Sequence, residues 1–302
     1  MNNTILYALT VLIWGSTWYA ITFQLGNVHP ILSVSYRFTL ASCLLFVFLT
    51  FFKKDRTLRF SVKQHITIAM QGFYLFCLNY ILFYYGTVFF TSGLVAITFS
   101  TITFMNILNQ SLFFGIGVQR QVVAGSAVGL IGIIMVFWPE VQSTALSNAT
   151  VLGMMFCLFA TYSASIGNMV SIKNSRENIP VLEANTFGMM YGAVFSFILA
   201  LSIGIPLTYE MTYEYTLSLL YLALFGSAIA FGCYLTLMKN IGADKAAYAS
   251  VLFPIVALAV STIFEGYIWT SLSIIGVCLT LLGNIIAVLD RERMLHWRKN
   301  KS

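Results

Sequence analysis

The chain has 302 residues, of which 59% are hydrophobic and only 9% are charged, and its formal net charge is +6. So few charged side chains cannot cover a water-soluble surface, and this composition therefore excludes an ordinary soluble enzyme or binding module. A nucleic-acid partner is not expected either, because the basic residues lie in short clusters between long apolar runs and form no continuous face.

Ten apolar segments are long enough to cross the bilayer as helices, since a hydrocarbon core of about 30 Å needs about 20 residues. Helices are favoured because backbone groups in lipid must bond within their own segment, and the alternation typical of barrel strands is missing. We predict an all-α integral membrane protein with ten transmembrane helices, at about residues 4–24, 31–52, 65–87, 93–116, 121–138, 149–172, 181–205, 215–238, 246–265 and 272–290.

The basic residues indicate which side of the membrane each loop occupies. Of the 16 Lys and Arg residues, all but Arg37 lie in alternate loops and in the C-terminal tail. Cytoplasmic loops accumulate Lys and Arg, so both termini are predicted to be cytoplasmic.

Helices 1 to 3 hold the first candidate site residues. Arg37 lies well inside helix 2, where an unpaired cation in hydrocarbon would cost at least about 3 kcal/mol. It either binds an anionic group of a substrate, or snorkels outward, or pairs with an acid such as Glu265. Trp14, Asn79 and Tyr80 lie near mid-span and could add an aromatic wall and polar groups, although simple packing would also explain the aromatic residues.

Helix 4 is unusually polar for a membrane span. Thr103, Asn106 and Gln110 lie at positions i, i+3 and i+7 and so share one face. That face either lines a cavity or bonds a neighbouring helix, and both readings stay open. Together with Thr98, these residues are candidate substrate contacts.

Helix 5 carries Gly125, Gly129 and Gly132 on one face. Small residues let a neighbouring helix approach closely. The pattern predicts a tight contact, either with the other half of the chain or with a second copy in a homodimer.

Helices 8 and 9 supply the remaining candidates. Tyr234 and Tyr248 could extend the aromatic wall, with packing as the alternative. Pro254 should kink helix 9, either as a hinge for alternating access or as a static bend. Glu265 closes helix 9 near the outer surface, where it could carry a coupled proton or bond an outer-side donor.

A shift of 151 residues superposes helix 4 on helix 9 and helix 5 on helix 10, placing Gly115 on Gly266 and Gly132 on Gly283. Because each half holds five helices, the second half enters the membrane from the opposite side. Such inverted repeats are typical of secondary transporters, with the substrate site near the midplane. We predict two halves, 1–143 and 144–302, with a site lined by helices 1–4 and 6–9.

The family resemblance rests on residues spread along the chain: Trp14-Gly15-Ser16-Thr17-Trp18, Pro30, Arg37-Phe38, Pro254, Glu265, Gly276 and Gly283. Their order and spacing resemble the drug/metabolite transporter superfamily, in particular its EamA family. The resemblance implies a ten-helix inverted-repeat carrier, and many bacterial members export amino acids or other small metabolites. This chain departs from the pattern in helix 4, which has Thr103 and Phe114 where helix 9 has Pro254 and Glu265.

We therefore expect a secondary transporter in the bacterial inner membrane that exports small amino-acid-like or amphipathic metabolites by alternating access. An uptake carrier or exchanger, or a small-solute channel, is the alternative. The expected partners are a small-molecule substrate, with proton coupling as an option, and the lipid bilayer. We expect no enzyme activity, metal or other cofactor, since the three histidines lie at or beyond helix ends and no phosphate-binding loop is present.

Overall fold

The computed structural model describes residues 2–53, 58–115, 117–118, 120–143, 148–241 and 249–299. This part of the chain is helical and contains no strand. In chain order its helices are α1 Asn3–Thr22, α2 Pro30–Phe51, α3 Val62–Phe89, α4 Ser92–Phe99 with Ile102–Phe114 after a break at Ser100 and Thr101, α5 Arg120–Ser143, α6 Asn148–Arg176, α7 Val181–Ser202, α8 Tyr213–Tyr221 with Leu222–Ile229 and Ala230–Ile241, α9 Ala249–Phe264 and α10 Ser271–Lys299.

Seven of these helices, α1–α4 and α6–α8, are long and apolar enough to cross a membrane. The other three contain shorter apolar stretches, Val123–Trp138, Val251–Phe264 and Ser271–Ile286. The helix positions agree with the sequence prediction to within a few residues, except that α5, α6 and α10 run further at their C-terminal ends. In α6 the extension carries Lys173 and Arg176 in the last turn, where cations are favoured by the helix dipole.

Helix starts carry recognisable local signals. Pro30 occupies the first turn of α2, where its missing N–H costs nothing. Ser61 and Gln64 form a capping box at the start of α3, each side chain bonding the other residue's backbone. These signals fix where α2 and α3 begin.

The two halves meet where α5 packs against α10. A Cβ atom added to Gly132 would lie 2.5 Å from the carbonyl oxygen of Gly276, and one added to Gly276 would lie 2.6 Å from that of Gly132. Gly283 is equally close to Gly125. A shift of 151 residues converts the Gly125–Gly283 contact into the Gly276–Gly132 contact, as expected when two copies are related by a twofold axis. The glycine face of α5 therefore contacts the other half of the same chain.

Two further features repeat at the same spacing. Gly115 ends α4 and Gly266 follows α9, with left-handed φ angles of 65° and 69°. Residues other than glycine seldom adopt this conformation, which commonly terminates helices. Both α4 and α9 thus end beside equivalent glycines.

Each half also contains a π-helical segment, Phe73–Leu78 in α3 and Leu222–Ile229 in α8. In the first, the carbonyl of Tyr74 accepts a 2.7 Å hydrogen bond from Oγ of Ser163. In the second, the carbonyl of Gly226 accepts a 3.2 Å bond from the indole of Trp14. In each π-helical segment, therefore, a backbone carbonyl accepts a hydrogen bond from a side chain of a neighbouring helix, α6 or α1.

Candidate functional site

A cavity of about 660 Å³ lies between the helices. It is lined by residues of α1–α4 and α6–α9, the helices from which the sequence predicts the site to be built. The volume lies within the range of cavities that hold small-molecule ligands.

Aromatic rings form most of the apolar wall. Trp14 packs against Tyr234 with ring centroids 5.1 Å apart. Trp18 packs edge-on against Phe83 at 5.0 Å and also contacts Phe99. Ring contacts of this kind hold side chains in fixed positions, so the wall can offer a rigid apolar surface to a ligand.

Arg37 of α2 reaches the cavity with only 1% of its surface exposed. Its guanidinium carbon lies 4.6 Å from the ring centroid of Tyr80, and Nε donates a 3.5 Å hydrogen bond to Oγ of Ser227. Atom Nη1 has no hydrogen-bond partner. Among the described residues no carboxylate forms an ion pair with Arg37. Its charge lies against the Tyr80 ring and the hydroxyls of Ser227 and the buried Tyr84.

The cavity face of α3 presents Asn79 and Tyr80. The amide nitrogen of Asn79 donates a 3.3 Å hydrogen bond to the carbonyl of Leu75, inside the π-helical segment. The amide oxygen Oδ1 is buried without a partner. The sequence predicts both residues near mid-span, and the structure puts Tyr80 against the Arg37 guanidinium.

Some polar residues of α4 line the cavity and others bond a neighbouring helix, the two alternatives that the sequence leaves open. Thr103, Asn106 and Gln110 line the cavity, and Oδ1 of Asn106 accepts a 3.3 Å hydrogen bond from Asn168 of α6. Asn109 instead donates a 2.8 Å bond to Ser165 of α6 and does not line the cavity. One face of α4 is therefore the polar wall, and another joins α4 to α6.

Thr98 does not reach the cavity. Its hydroxyl donates a 3.0 Å bond to the carbonyl of Leu94 in the same helix, and its side chain is buried between helices. Hydroxyl groups can satisfy their donor within their own helix turn, so a polar residue in a membrane span need not face water.

The remaining candidates of helices 8 and 9 lie at different depths. Tyr234 lines the cavity, whereas Tyr248 lies outside the described residues. Pro254 is buried within α9, beside the cavity-lining Phe253, and the helix continues through it. Glu265 follows α9 at the far end and accepts bonds from the backbone N–H of Ser92 at 3.1 Å and from its hydroxyl. Glu265 thus bonds the start of α4 and does not pair with Arg37.

Sequence reasoning missed several polar residues at the other end of the cavity. Asn185 of α7 lines it and accepts a 2.7 Å bond from Gln71 of α3, which itself accepts a 2.9 Å bond from Asn174 of α6. Asn168 and Arg176 of α6 also line the cavity. These residues could have been found in the sequence as single Asn or Gln residues within apolar spans, because such amide side chains rarely face lipid.

Comparison with known proteins gives a consistent family. The model of the EamA-like transporter family matches twice, at residues 2–138 and 151–289. "Protein PagO" of Salmonella typhimurium is 23% identical and covers 97% of both chains. "Uncharacterized inner membrane transporter YedA" of Escherichia coli is 28% identical, covering 93% of this chain and 90% of its own. "Probable amino-acid metabolite efflux pump" of Escherichia coli is 24% identical, covering 99% and 97%.

A solved structure, described only as "Crystal structure of protein", superposes with a TM-score of 0.68 at 16% identity, covering 95% of this chain and 97% of that one. This likeness concerns the fold alone. The two family matches together span nearly the whole sequence, and the family consists of membrane transporters and not of enzymes. The chain therefore belongs to the EamA-like transporter family.

Proposed function

We propose that this chain is a secondary transporter of the bacterial inner membrane that exports small amino-acid-like or amphipathic metabolites by alternating access. The observation that carries the proposal is a cavity enclosed by helices of both halves, with a buried arginine whose Nη1 has no partner. The relatives named as an efflux pump and an inner membrane transporter support the direction and the location.

The proposed topology has ten spans in two inverted halves, 1–143 and 144–302, with both termini in the cytoplasm. The twofold pattern of glycine contacts between α5 and α10 supports the inverted arrangement. The excess of basic residues in alternate loops supports the orientation.

The residues at the two ends of the cavity indicate which side of the membrane it opens toward. Lining residues extend to Ser175, Arg176 and Val181, around the loop that the basic residues assign to the cytoplasm. At the opposite end the amide of Gln24 bonds Ser218, and Glu265 bonds Ser92. We infer an inward-facing arrangement in which Glu265 acts in gating or coupling and Pro254 in the movement of α9.

In this mechanism a substrate enters from the cytoplasm, its anionic group bonds Arg37, and its apolar part packs on the aromatic wall. The polar contacts proposed for the substrate are Arg37, Asn79, Thr103, Asn106 and Gln110, with Trp14, Tyr80 and Tyr234 as aromatic contacts. The two halves then exchange conformations, which closes the inner end and opens the outer one.

The test is counterflow in proteoliposomes that carry the purified protein. Arg37→Ala should lower transport of a zwitterionic substrate at least about tenfold, because a hydrogen bond to a charged group contributes roughly 1.5–3 kcal/mol. The matched control is Lys63→Ala, which removes the same charge from an exposed residue near the start of α3. Unchanged counterflow in Arg37→Ala would remove this residue from the site.

The same proteoliposomes can be used to distinguish a carrier from a small-solute channel. Saturable flux that is accelerated by unlabelled substrate on the opposite side is expected of a carrier or exchanger. Single-channel conductance would identify a channel instead.

A further inference from the structure

Asn106 of α4 and Asn168 of α6 form a hydrogen-bonded pair of amides on the wall of the cavity. The amide nitrogen of Asn168 donates to Oδ1 of Asn106 at 3.3 Å, and both residues line the cavity. Both side chains are only partly buried, and no unbonded polar atom of either is sealed from the cavity. The pair therefore joins two helices and still has polar atoms to offer a ligand.

The atoms that this pairing leaves over are one donor group and one acceptor. Each amide carries one NH2 group and one carbonyl oxygen, and the bond uses the NH2 of one residue and the oxygen of the other. The NH2 of Asn106 and Oδ1 of Asn168 stay available, since the described residues make no further hydrogen bond to them. If both amides are turned over, the bond reverses and again leaves one donor and one acceptor.

The amide pair lies apart from the charged residue of its two helices that lines the cavity. α4 contains no charged residue, and the cavity-lining charge of α6 is Arg176, eight residues beyond Asn168. At 1.5 Å per residue this separation is about 12 Å along the helix. The described lining of the cavity contains no carboxylate. We therefore expect the group that bonds the two amides to be neutral.

A carboxamide matches the pair because it carries an acceptor and a donor on neighbouring atoms. Its oxygen can accept from the free NH2 group while its own N–H donates to the free oxygen. A carboxylate has only acceptors and an ammonium group has only donors, so each would leave one atom of the pair without a partner. Displacing water from a polar atom without replacing its hydrogen bond is unfavourable.

The aromatic wall of the cavity lies within reach along α4. Phe99, which contacts Trp18, precedes Asn106 by seven residues, or about 10 Å along the helix. Phe99 and Asn106 line the same cavity. A ligand that bonds the amide pair can therefore direct an attached ring toward this wall.

We propose that Asn106 and Asn168 form a subsite for neutral carboxamide groups, including the cyclic amides of heterocyclic rings. The subsite gives the cavity a preference for amide-bearing metabolites over analogues that carry only an acceptor. The proposal rests on the proposed function, since it names a class of substrate for that cavity.

Three pyridines that differ in one substituent provide the test. Nicotinamide carries a donor and an acceptor, 3-acetylpyridine has a methyl group in place of the NH2, and nicotinate carries a carboxylate. Calorimetric Kd values for the purified wild-type protein should be about tenfold lower for nicotinamide than for 3-acetylpyridine, as expected for the loss of one hydrogen bond to a partly buried acceptor.

Asn168→Leu should remove this preference, chiefly by weakening the binding of nicotinamide. The matched control is Asn109→Leu, which removes another amide bond between α4 and α6, to Ser165 outside the cavity, and should keep the preference.

Asn106→Asp provides a second variant in case the Asn168→Leu protein does not fold. Its carboxylate can still accept from the NH2 of Asn168, but both atoms offered to a ligand are then acceptors. Pyridine-3-carboxamidine, whose substituent carries only donors, should bind this variant more tightly than nicotinamide does.

The outcomes separate this proposal from the proposed function. Equal Kd values of nicotinamide and 3-acetylpyridine for the wild type would overturn the subsite, as would a preference that survives in Asn168→Leu. Tighter binding of nicotinamide than of the amidine by Asn106→Asp would overturn it as well. Wild-type protein that binds nicotinate but not nicotinamide would contradict only the amide subsite and leave a carrier of acids supported. If none of the three binds, the subsite proposal fails, and counterflow with other metabolites then tests the transporter by itself.

Discussion

The contact between α5 and α10 and the pair formed by α4 and α9 are built from equivalent segments of the two halves, yet they have diverged to different extents. In the first, each half contributes glycines at equivalent positions, and the contacts Gly125–Gly283 and Gly132–Gly276 exchange under the repeat. In the second, Thr103 and Phe114 of α4 correspond to Pro254 and Glu265 of α9.

The divergence gives the two helices different tasks. α4 lines the cavity with a polar face, whereas α9 contributes only Phe253 among the described lining residues. Glu265 bonds Ser92 at the start of α4. The equivalent residue Phe114 lies at the end of α4, and its ring centroid is 4.2 Å from the guanidinium carbon of Arg176. The symmetric contact therefore joins the halves, and the asymmetric pair supplies a polar cavity wall in α4 and, in α9, the end at which we propose a gate.

The largest effect is expected when the symmetric contact is disturbed. Gly276→Ala would place Cβ 2.6 Å from the carbonyl of Gly132, and a backbone atom cannot move aside without separating α5 from α10. Overpacking of this kind costs roughly 1–3 kcal/mol, so the unfolding temperature in detergent should fall by several degrees. Gly132→Ala should behave in the same way, because its added Cβ atom would lie 2.5 Å from the carbonyl oxygen of Gly276.

The matched control is Gly232→Ala in α8, where an added Cβ atom would meet nothing within 4 Å. Alanine there improves helix propensity and should leave the unfolding temperature unchanged or slightly raised. If all three variants are equally stable, the glycine contact does not hold the halves together.

A smaller effect, on conformation more than on folding, is expected at Glu265. Glu265→Ala removes the acceptor for the N–H and hydroxyl of Ser92, which weakens the contact between α9 and the start of α4. Hydrogen bonds to a carboxylate contribute roughly 1.5–3 kcal/mol, so the outward-facing population should rise about tenfold or more.

This shift can be measured by labelling Thr17→Cys, a cavity position, with a membrane-impermeant maleimide from outside the cell. Cys43 and Cys278, which are exposed, are first replaced by alanine. The control is Glu214→Ala, which removes an exposed carboxylate at the start of α8. Faster labelling in Glu214→Ala than in Glu265→Ala would contradict a gating role for Glu265.

The comparison of these two helix pairs also explains which features of the fold could be predicted from the sequence. Apolar length is sufficient to position the helices, because it depends on one segment at a time. The glycines of α5 could also be read as a contact, but the sequence does not say whether the partner is α10 or a second copy. That choice depends on three-dimensional packing of the two halves.

The cavity residues could be predicted only in part, for a related reason. Helical spacing groups Thr103, Asn106 and Gln110 on one face, which the structure turns toward the cavity. Thr98 lies on the same helix but before a break at Ser100 and Thr101, where backbone bonds such as Thr101 to Thr98 tighten the turn. The spacing rule assumes one unbroken helix, so it fails across this break and across the π-helical segments.

The smallest effect is expected at Pro254, where the sequence predicts a kink and through which α9 continues. The equivalent helix α4 has no proline and is interrupted at Ser100 and Thr101, whose hydroxyls bond carbonyls of the preceding turn. Pro254 nevertheless leaves one carbonyl of α9 without its helical donor.

Pro254→Ala would restore that hydrogen bond, worth about 0.5–1.5 kcal/mol, and so stabilise a straight α9. If α9 bends between the two states, the barrier to exchange rises by this amount and counterflow slows about two- to tenfold, with Kd unchanged. Thr103→Ala, at the equivalent position of α4, restores no backbone bond and should instead alter Kd. A Pro254→Ala protein with wild-type exchange rates would mean that the bend in α9 is static, which leaves Glu265 as the moving part of the asymmetric pair.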